Sequence, residues 1–251
     1  MSDLPLPFTV LDELPDLLIV EKPAGLLVHP SKPSHTRTLW HGLCELLSYE
    51  RVTGGQVSVV NRLDRETSGI VLVAKSAEAA RGCVRAMMEG RIHKEYLAVT
   101  FGWPPEDRFE VHAPILRRGE VETSPVHLQR CVHSEGAPSH TRFEVERRFE
   151  RSGAGGGRFA LVRARPITGR THQIRVHLAH AGFPVVGDKL YGPGGEACYL
   201  RFIESGWTPD LACGLLLPRH ALHSAVLGME WGGERRTWHS PLPADLAEFA
   251  G

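Results

Sequence analysis

Residues 61–74 read NRLDRETSGIVLVA, a polar segment that runs directly into an apolar one. The apolar part, residues 69–74, is rich in aliphatic side chains and predicts a buried strand. A second apolar segment, residues 57–60, precedes the polar residues. The sequence therefore predicts a polar turn between two strands of the core.

Asp64 is the residue of this turn that suggests chemistry, because an arginine stands on either side of it, Arg62 and Arg65. Nearby cations hold a carboxylate in the ionised form that a nucleophile or a general base requires. On the residues alone a second interpretation stays open. It is a solvated turn in which Asp64 caps backbone amides and Gly69 ends the loop.

A second charged segment, residues 163–177, reads RARPITGRTHQIRVH and predicts a strand, a sharp turn and a helix that together carry four arginines. The amides at the start of such a helix, with Arg170 beside them, favour an anion. Arg175 lies one turn further along, where its guanidinium could reach a carboxylate. An amphipathic helix with a polar face is the alternative interpretation.

The remaining pattern predicts an α+β fold, in which most strands are joined by short turns. Further strands are predicted at residues 17–21, 96–101, 141–149, 159–165 and 221–231. About three helices are predicted, one beginning near Thr36, one at 77–89 and one at 170–181. The glycine-rich segment 152–157 is expected to join two strands as a hairpin loop. Because no repeat or shift in composition marks a boundary, we expect one domain over residues 1–251, with its core at about 10–245.

The composition argues against several classes of protein. The apolar runs are far shorter than a membrane-spanning helix, and the start of the chain does not read as a secretory signal, so we expect a cytoplasmic protein that does not enter a membrane. The five cysteines are scattered without a Cys-x-x-Cys pair, which argues against disulfides and cysteine zinc sites. The 14 histidines include no His-Glu-x-x-His, so we expect no metal site. A glycine-rich phosphate loop is also missing, so no nucleotide cofactor is expected.

The charges are balanced overall but unevenly distributed. The 29 acidic residues equal the 29 basic ones, and 24 of the basic residues are arginines. Residues 141–180 hold nine arginines and three glutamates, a net charge of +6. Such a segment could form a face that binds a polyanion, or its charges could disperse over the folded surface.

In combination, six segments of the chain resemble the RluA-type pseudouridine synthases, and they occur in the order of that family. They are EKPAGLLVHP at 21–30, RLDRETSG at 62–69, KEYLA at 94–98, GRTHQIRVH at 169–177, GDKLYG at 187–192 and LPRHALH at 217–223. The resemblance implies a mixed, largely antiparallel sheet flanked by helices, with a central active-site cleft. It also implies isomerisation of uridine to pseudouridine in rRNA or tRNA, with base flipping and without a metal or organic cofactor. We expect a monomer that binds RNA through the catalytic domain itself, without a separate N-terminal RNA-binding domain.

The resemblance also assigns roles to individual residues. Asp64 is expected to be the essential carboxylate, which either attacks the sugar or removes a proton from it. Arg175 is expected to pair with Asp64, and Tyr96 to stack on the uracil and assist removal of the C5 proton. The residues expected to contact RNA are Arg62, Arg65, Arg170, His172 and Ile174. Specificity is expected to come from loops at 31–36, 103–130 and 193–216.

One position departs from the family pattern, because Asn61 stands where a histidine is usual. This keeps open a non-catalytic RNA-binding protein with the same fold. A glycosidase-like hydrolase is the alternative from a different class, and it would need two inward carboxylates about 5–10 Å apart. The only acidic neighbour of Asp64 is Glu66, in the same turn.

Overall fold

The structure is a computed structural model that describes residues 7–152 and 156–251. The chain divides into two compact units. The first contains the residues up to Lys94 together with His223–Pro241, and the second contains Glu95–Leu222 and Leu242–Gly251. The single domain expected over residues 1–251 stays a prediction.

The elements are numbered along the chain. The strands are β1 (Thr9–Glu13), β2 (Leu17–Lys22), β3 (Ser58–Val59), β4 (Ser68–Ala74), β5 (His93–Phe101), β6 (Arg108–His112), β7 (Ile115–Arg117), β8 (Arg130–Val132), β9 (His140–Arg151), β10 (Gly157–Pro166), β11 (Leu222–Trp231) and β12 (Glu234–His239). The helices are α1 (Leu39–Leu46), α2 (Ser48–Val52), α3 (Ala77–Met88), α4 (Gln173–His180), α5 (Gly195–Ser205), α6 (Pro209–Leu215) and α7 (Ala244–Ala250). In the described ranges, none of them combines the length and apolar content needed to cross a membrane.

The first unit is built around β4, whose seven residues are all buried. Its strands follow the order β1–β2–β4–β11, with β3 beside β4 and β12 beside β11. β2 and β4 are antiparallel, and β11 runs parallel to β4, with His223 opposite Ser68. Helix α3 packs against this sheet through Ala79, Cys83 and Ala86.

Helix α3 begins where its sequence predicts, because the Ser76 side chain accepts a hydrogen bond from the Ala79 amide at 3.1 Å. On the sheet, Leu17, Ile70 and Leu72 are fully buried beneath the helix. Each such aliphatic side chain contributes about 1.5–3 kcal/mol when it leaves water. The aliphatic run at 69–74 therefore forms the centre of this core, as predicted.

The second unit contains an antiparallel arrangement in the order β5–β10–β9–β6, together with the small pair β7–β8. Tyr96 on β5 lies opposite Ala164 on β10, and Ala164 in turn lies opposite Phe143 on β9. Helix α7 closes one end of this unit, where Phe249 meets the Phe159 ring edge-on at 5.2 Å between ring centroids. Strands that are mostly antiparallel, with helices packed on them, confirm the α+β prediction.

Two expectations about the loops are wrong. The segment 193–216 contains helices α5 and α6, and 103–130 contains strands β6 and β7, so neither is a plain loop. The described ranges hold seven α-helices rather than about three. Part of the hairpin expected at 152–157, residues 153–155, lies outside the described residues.

The helix predicted at 170–181 begins later, at Gln173. The residue before it, His172, has a φ of 59°, in the left-handed region that a right-handed helix cannot continue through. Its expected end is confirmed, because Gly182 follows the helix with a φ of +87°.

Candidate active site

Asp64 lies in the turn that leads from β3 into β4, in the first unit. It is half-buried, whereas the flanking Arg62 and Arg65 are exposed and Leu63 is buried. The Asp64 carbonyl accepts a hydrogen bond from the Thr67 amide at 3.2 Å, which closes the turn. The turn therefore has one side in the core and presents charged side chains on the other.

Lys22 fixes this turn through hydrogen bonds from its side chain to backbone carbonyls. Its side chain is fully buried, and its Nζ donates to the carbonyls of Pro23 at 2.9 Å, Leu26 at 2.9 Å and Arg65 at 3.1 Å. Burial of an ammonium group requires that its donors find acceptors, and here backbone carbonyls supply them. The segment 21–30 is thereby fastened to the residue that follows Asp64.

Gly25 adds two further hydrogen bonds between the same segments. Its amide donates to the Arg65 carbonyl at 2.8 Å, and its own carbonyl accepts from the Arg65 Nε at 3.1 Å. The Gly25 φ of +87° is one that residues with a side chain rarely adopt. The backbone and side chain of Arg65 therefore fix the turn, and its expected contact with RNA stays a prediction.

Asn61 fixes the other end of the turn. Its carboxamide is buried, where Oδ1 accepts from the Leu72 amide at 2.7 Å and Nδ2 donates to the Ile70 carbonyl at 3.1 Å. A carboxamide carries the same donor and acceptor pair as a peptide group, so it completes the hydrogen bonding of strand β4. Asn61 therefore has a structural role here.

A buried network also holds the end of the turn at Ser68. The Ser68 hydroxyl lies 2.9 Å from His223 Nδ1, and His223 Nε2 lies 3.0 Å from the Ser240 hydroxyl. The Ser240 hydroxyl donates in turn to the Glu21 carboxylate. The network joins residues of the segments 21–30, 62–69 and 217–223. These are three of the six segments that resemble the RluA-type family.

Arg175, in the second unit, forms a buried bidentate ion pair with Asp188. Its Nε lies 2.6 Å from Oδ2 and its second guanidinium nitrogen 2.8 Å from Oδ1. Asp188 also accepts from the amides of Leu190 and Tyr191, each at 3.0 Å. Burial alone raises the pKa of the Asp188 carboxyl, but the charge and hydrogen bonds of Arg175 outweigh burial and hold that pKa well below its usual range.

This ion pair was not foreseen in the sequence, although Asp188 belongs to the quoted segment 187–192. It fixes the guanidinium of Arg175 in orientation, since a bidentate pair restricts it to one plane. The expected pairing of Arg175 with Asp64 stays a prediction. Tyr96, the third expected catalytic residue, is buried on strand β5 of the same unit as Arg175.

Tyr191 contacts the side chain of His172, whose backbone is in the left-handed conformation. His172 Nδ1 lies 2.8 Å from the Tyr191 hydroxyl, which also accepts from the Arg130 amide at 2.9 Å. The Tyr191 ring lies beneath the Arg175 guanidinium at 5.0 Å. A non-glycine residue held in this conformation often marks a functional site.

The turn before helix α4 is fixed by Gln173, the first residue of the helix. Gln173 Oε1 accepts from the Arg170 amide at 3.0 Å, and Gln173 Nε2 donates to the His140 carbonyl at 2.9 Å. The Arg170 side chain is exposed, whereas Ile174 is buried. Of the two, only Arg170 therefore presents its side chain at the surface.

Two arginines of the basic segment 141–180, Arg163 and Arg165, are paired with glutamates. Arg163 pairs with Glu95 at 2.5 Å and with Glu146, and Arg165 pairs with Glu95 and Glu144, both at 2.8 Å. These pairs link neighbouring strands of the second unit. The charges of these two arginines are therefore compensated on the folded surface.

Comparison with known proteins gives the same family by sequence and by structure. A family model described as RNA pseudouridylate synthase matches residues 16–180. Ribosomal large subunit pseudouridine synthase D of Haemophilus ducreyi is 31% identical over 97% of this chain and 70% of that protein. The protein of the same name from Nitrosomonas europaea is 35% identical over 96% of this chain, which spans 64% of that protein.

The fold agrees with this relationship. The structure of human RNA Pseudouridylate Synthase Domain Containing 1 superposes with a TM-score of 0.70 and 25% identity, over 98% of this chain and 89% of the human one. The sequence segments, the family match and the shared fold lead to one conclusion: the chain belongs to the RNA pseudouridylate synthase family.

Proposed function

We propose that this protein isomerises specific uridines to pseudouridine within a structured RNA. In this reaction the bond between N1 and C1′ breaks, the uracil turns, and a bond between C5 and C1′ forms. C5 loses a proton and N1 gains one, so the composition of the RNA is unchanged. The observation that carries the proposal is Asp64, half-buried in a turn that Lys22, Gly25 and Asn61 fix by hydrogen bonds.

Asp64 is the residue to which we assign the essential chemistry. It acts as an ionised carboxylate, either as nucleophile at the sugar or as base toward it. A reacting group needs a defined position, because small displacements cost large factors in rate. The hydrogen-bonded turn supplies that position, and it leaves the carboxylate partly accessible to a substrate.

Tyr96 and Arg175 complete the proposed catalytic set. Tyr96 stacks on the uracil, and its phenol assists removal of the C5 proton. Arg175 is the partner we assign to Asp64, and its ion pair with Asp188 supports this role by fixing the guanidinium. The reaction as proposed needs no metal or organic cofactor.

RNA is the proposed partner, bound by exposed arginines and by the residues around helix α4. Arg62 is placed in the same turn as Asp64, where it fills the stack vacated by the flipped base. Arg65 and Arg170 bind phosphate or sugar, which fixes position without reading sequence. His172 and Ile174 lie close to Arg170 in sequence but are less exposed, so we assign them to the flipped nucleotide.

The relatives guide the choice of RNA. Two of them carry the name of ribosomal large subunit enzymes, which favours ribosomal RNA over transfer RNA as the first substrate to test. We propose a monomer that works in the cytoplasm, away from membranes.

The test is tritium release from RNA labelled at uridine C5. The wild-type protein should release tritium to water and form pseudouridine, and Asp64→Ala should release none. Glu66→Gln is the matched control, because it removes a neighbouring carboxylate from the same turn. Its release should stay within a few-fold of wild type.

Each other outcome selects an alternative. RNA binding without tritium release from wild type would leave a non-catalytic RNA-binding protein with the same fold. Release of free uracil, with Glu66→Gln inactive, would favour a hydrolase that uses two carboxylates.

A further inference from the structure

Two histidines and a glutamate come together on strands β6 and β9 of the second unit. Residues 110 and 112 share one face of β6, because side chains alternate along a strand. The antiparallel register places His112 opposite His140, and Glu110 opposite Arg142. Histidines 28 positions apart thus become direct neighbours, which no spacing rule for a helical metal site would reveal.

The geometry of these three side chains is close to that of a metal site. Glu110 Oε2 lies 2.8 Å from His140 Nε2 and 3.1 Å from His112 Nε2, and all three potential ligand atoms lie within 4.8 Å of one another. Ligand atoms around a tetrahedral zinc ion, each about 2.0–2.1 Å from the metal, are roughly 3.3 Å apart. The two imidazole rings stack with 3.7 Å between their centroids, so both rings must rotate to direct their Nε2 atoms at one ion.

The surroundings restrain two of the three ligands, Glu110 and His140. Arg142 Nε lies 3.1 Å from Glu110 Oε1, which leaves Oε2 directed at the two imidazoles. The His140 backbone is fixed at both ends, since its amide donates to the Thr168 hydroxyl at 3.0 Å and its carbonyl accepts from the Ile167 amide at 3.0 Å.

We propose that Glu110, His112 and His140 bind a divalent transition-metal ion, with zinc as the preferred metal. Two imidazoles and one carboxylate suit zinc and disfavour magnesium or calcium, which take oxygen ligands. Three protein ligands leave a fourth position for water. The ion cross-links strand β6 to strand β9, next to the turn that carries Arg170, and it takes no part in the proposed isomerisation.

Metal titration tests the site directly. Full-length protein, freed of metal with a chelator, should bind one equivalent of Zn²⁺ with a dissociation constant in the micromolar range, measured by calorimetry. His112→Asn, His140→Asn and Glu110→Gln should each weaken this binding by about tenfold or more, since each removes one ligand. His239→Asn is the control, because it removes an exposed strand histidine in the other unit and should leave binding unchanged.

Co²⁺ identifies the ligand type, because the described chain also offers an exposed thiol at Cys213. Binding at the proposed site should give a cobalt spectrum without a thiolate charge-transfer band. A thiolate band would place the metal elsewhere and overturn the proposal. Variants that bind zinc like the wild type would also overturn it, and so would failure of the wild type to bind one equivalent. Circular dichroism and thermal unfolding of each metal-free variant show whether it is folded before the comparison is made.

Discussion

At the scale of single residues, Lys22 shows how a buried charge can fix the position of a turn, here the turn that carries Asp64. Its ammonium binds three backbone carbonyls, one of which belongs to Arg65 next to Asp64. An apolar side chain of similar length would keep the volume and lose all three hydrogen bonds. The loss of these hydrogen bonds should lower the stability of the protein and shift the position of the turn.

We therefore expect Lys22→Met to lower the free energy of unfolding by about 2–4 kcal/mol, because buried carbonyls lose their donor. The remaining folded enzyme should release tritium more slowly, with the larger change in kcat. Urea denaturation and the tritium assay measure the two effects. Lys32→Met removes an exposed lysine and should change neither. Equal stability of Lys22→Met and wild type would contradict the assigned role.

Asp188 permits a prediction about pH. Its folded-state pKa is held far below the unfolded value of 3.8, mainly by Arg175, against the effect of burial. A depressed pKa in the folded state gives stability that is present above the unfolded pKa and is lost as pH falls. The pair should therefore stabilise the protein fully at neutral pH and progressively less below about pH 4.

Asp188→Asn should cost about 3–5 kcal/mol at pH 7, because it leaves the Arg175 charge buried without its carboxylate partner. The difference from wild type should shrink as the pH is lowered from 4 toward 2.5, since the unfolded wild type takes up a proton first. Urea unfolding curves of both proteins across this pH range measure the difference in stability. A difference that stays constant with pH would show that the Asp188 charge contributes little.

At the scale of elements, Gly69 determines how closely β4 and β11 approach. Its φ is +110°, and a Cβ at this position would lie 2.2 Å from the Ser224 carbonyl oxygen on β11. Gly69→Ala should therefore lower the free energy of unfolding by about 3–5 kcal/mol, from both backbone strain and the displaced strand.

Gly90→Ala is the matched control for this substitution. Gly90 also has a positive φ, but nothing lies within 4 Å of its Cβ position, so about 1–2 kcal/mol is expected. Equal losses in urea unfolding would show that strand contact is not the cause.

The elements that the sequence predicted are those whose signal is local. The aliphatic run of β4 and the start of α3 depend on adjacent residues only, and both lie where expected. Strand β6 gives a weak sequence pattern, because it is short and only Val111 of its five residues is buried. Helix α6 carries a local start signal, since Thr208 caps it and Pro209 begins it.

At the scale of the whole molecule, the candidate site could be predicted only in part. Asp64, Tyr96 and Arg175 were chosen from the family resemblance, and the hydrogen-bonded turn around Asp64 supports the first of them. The contacts that fix these residues were not predictable, because they join distant positions. Lys22 meets the Arg65 carbonyl across 43 positions, and Arg163 meets Glu95 across 68. Net charge over a segment likewise cannot show which arginines the fold neutralises.

That neutralisation leads to a prediction about RNA binding. Arg163 is engaged by two glutamates, whereas Arg62 and Arg170 are exposed. Arg163→Gln should therefore change RNA affinity by less than about twofold, because its charge is already compensated. Arg62→Gln and Arg170→Gln should each weaken binding and reduce the slope of log affinity against log salt by about 0.7–0.9, the contribution of one phosphate contact. Filter binding of RNA at several salt concentrations measures both quantities. If Arg163→Gln lowers the slope as much as Arg170→Gln, the paired arginines of β10 also bind RNA, and they must then exchange their glutamates for phosphate on binding.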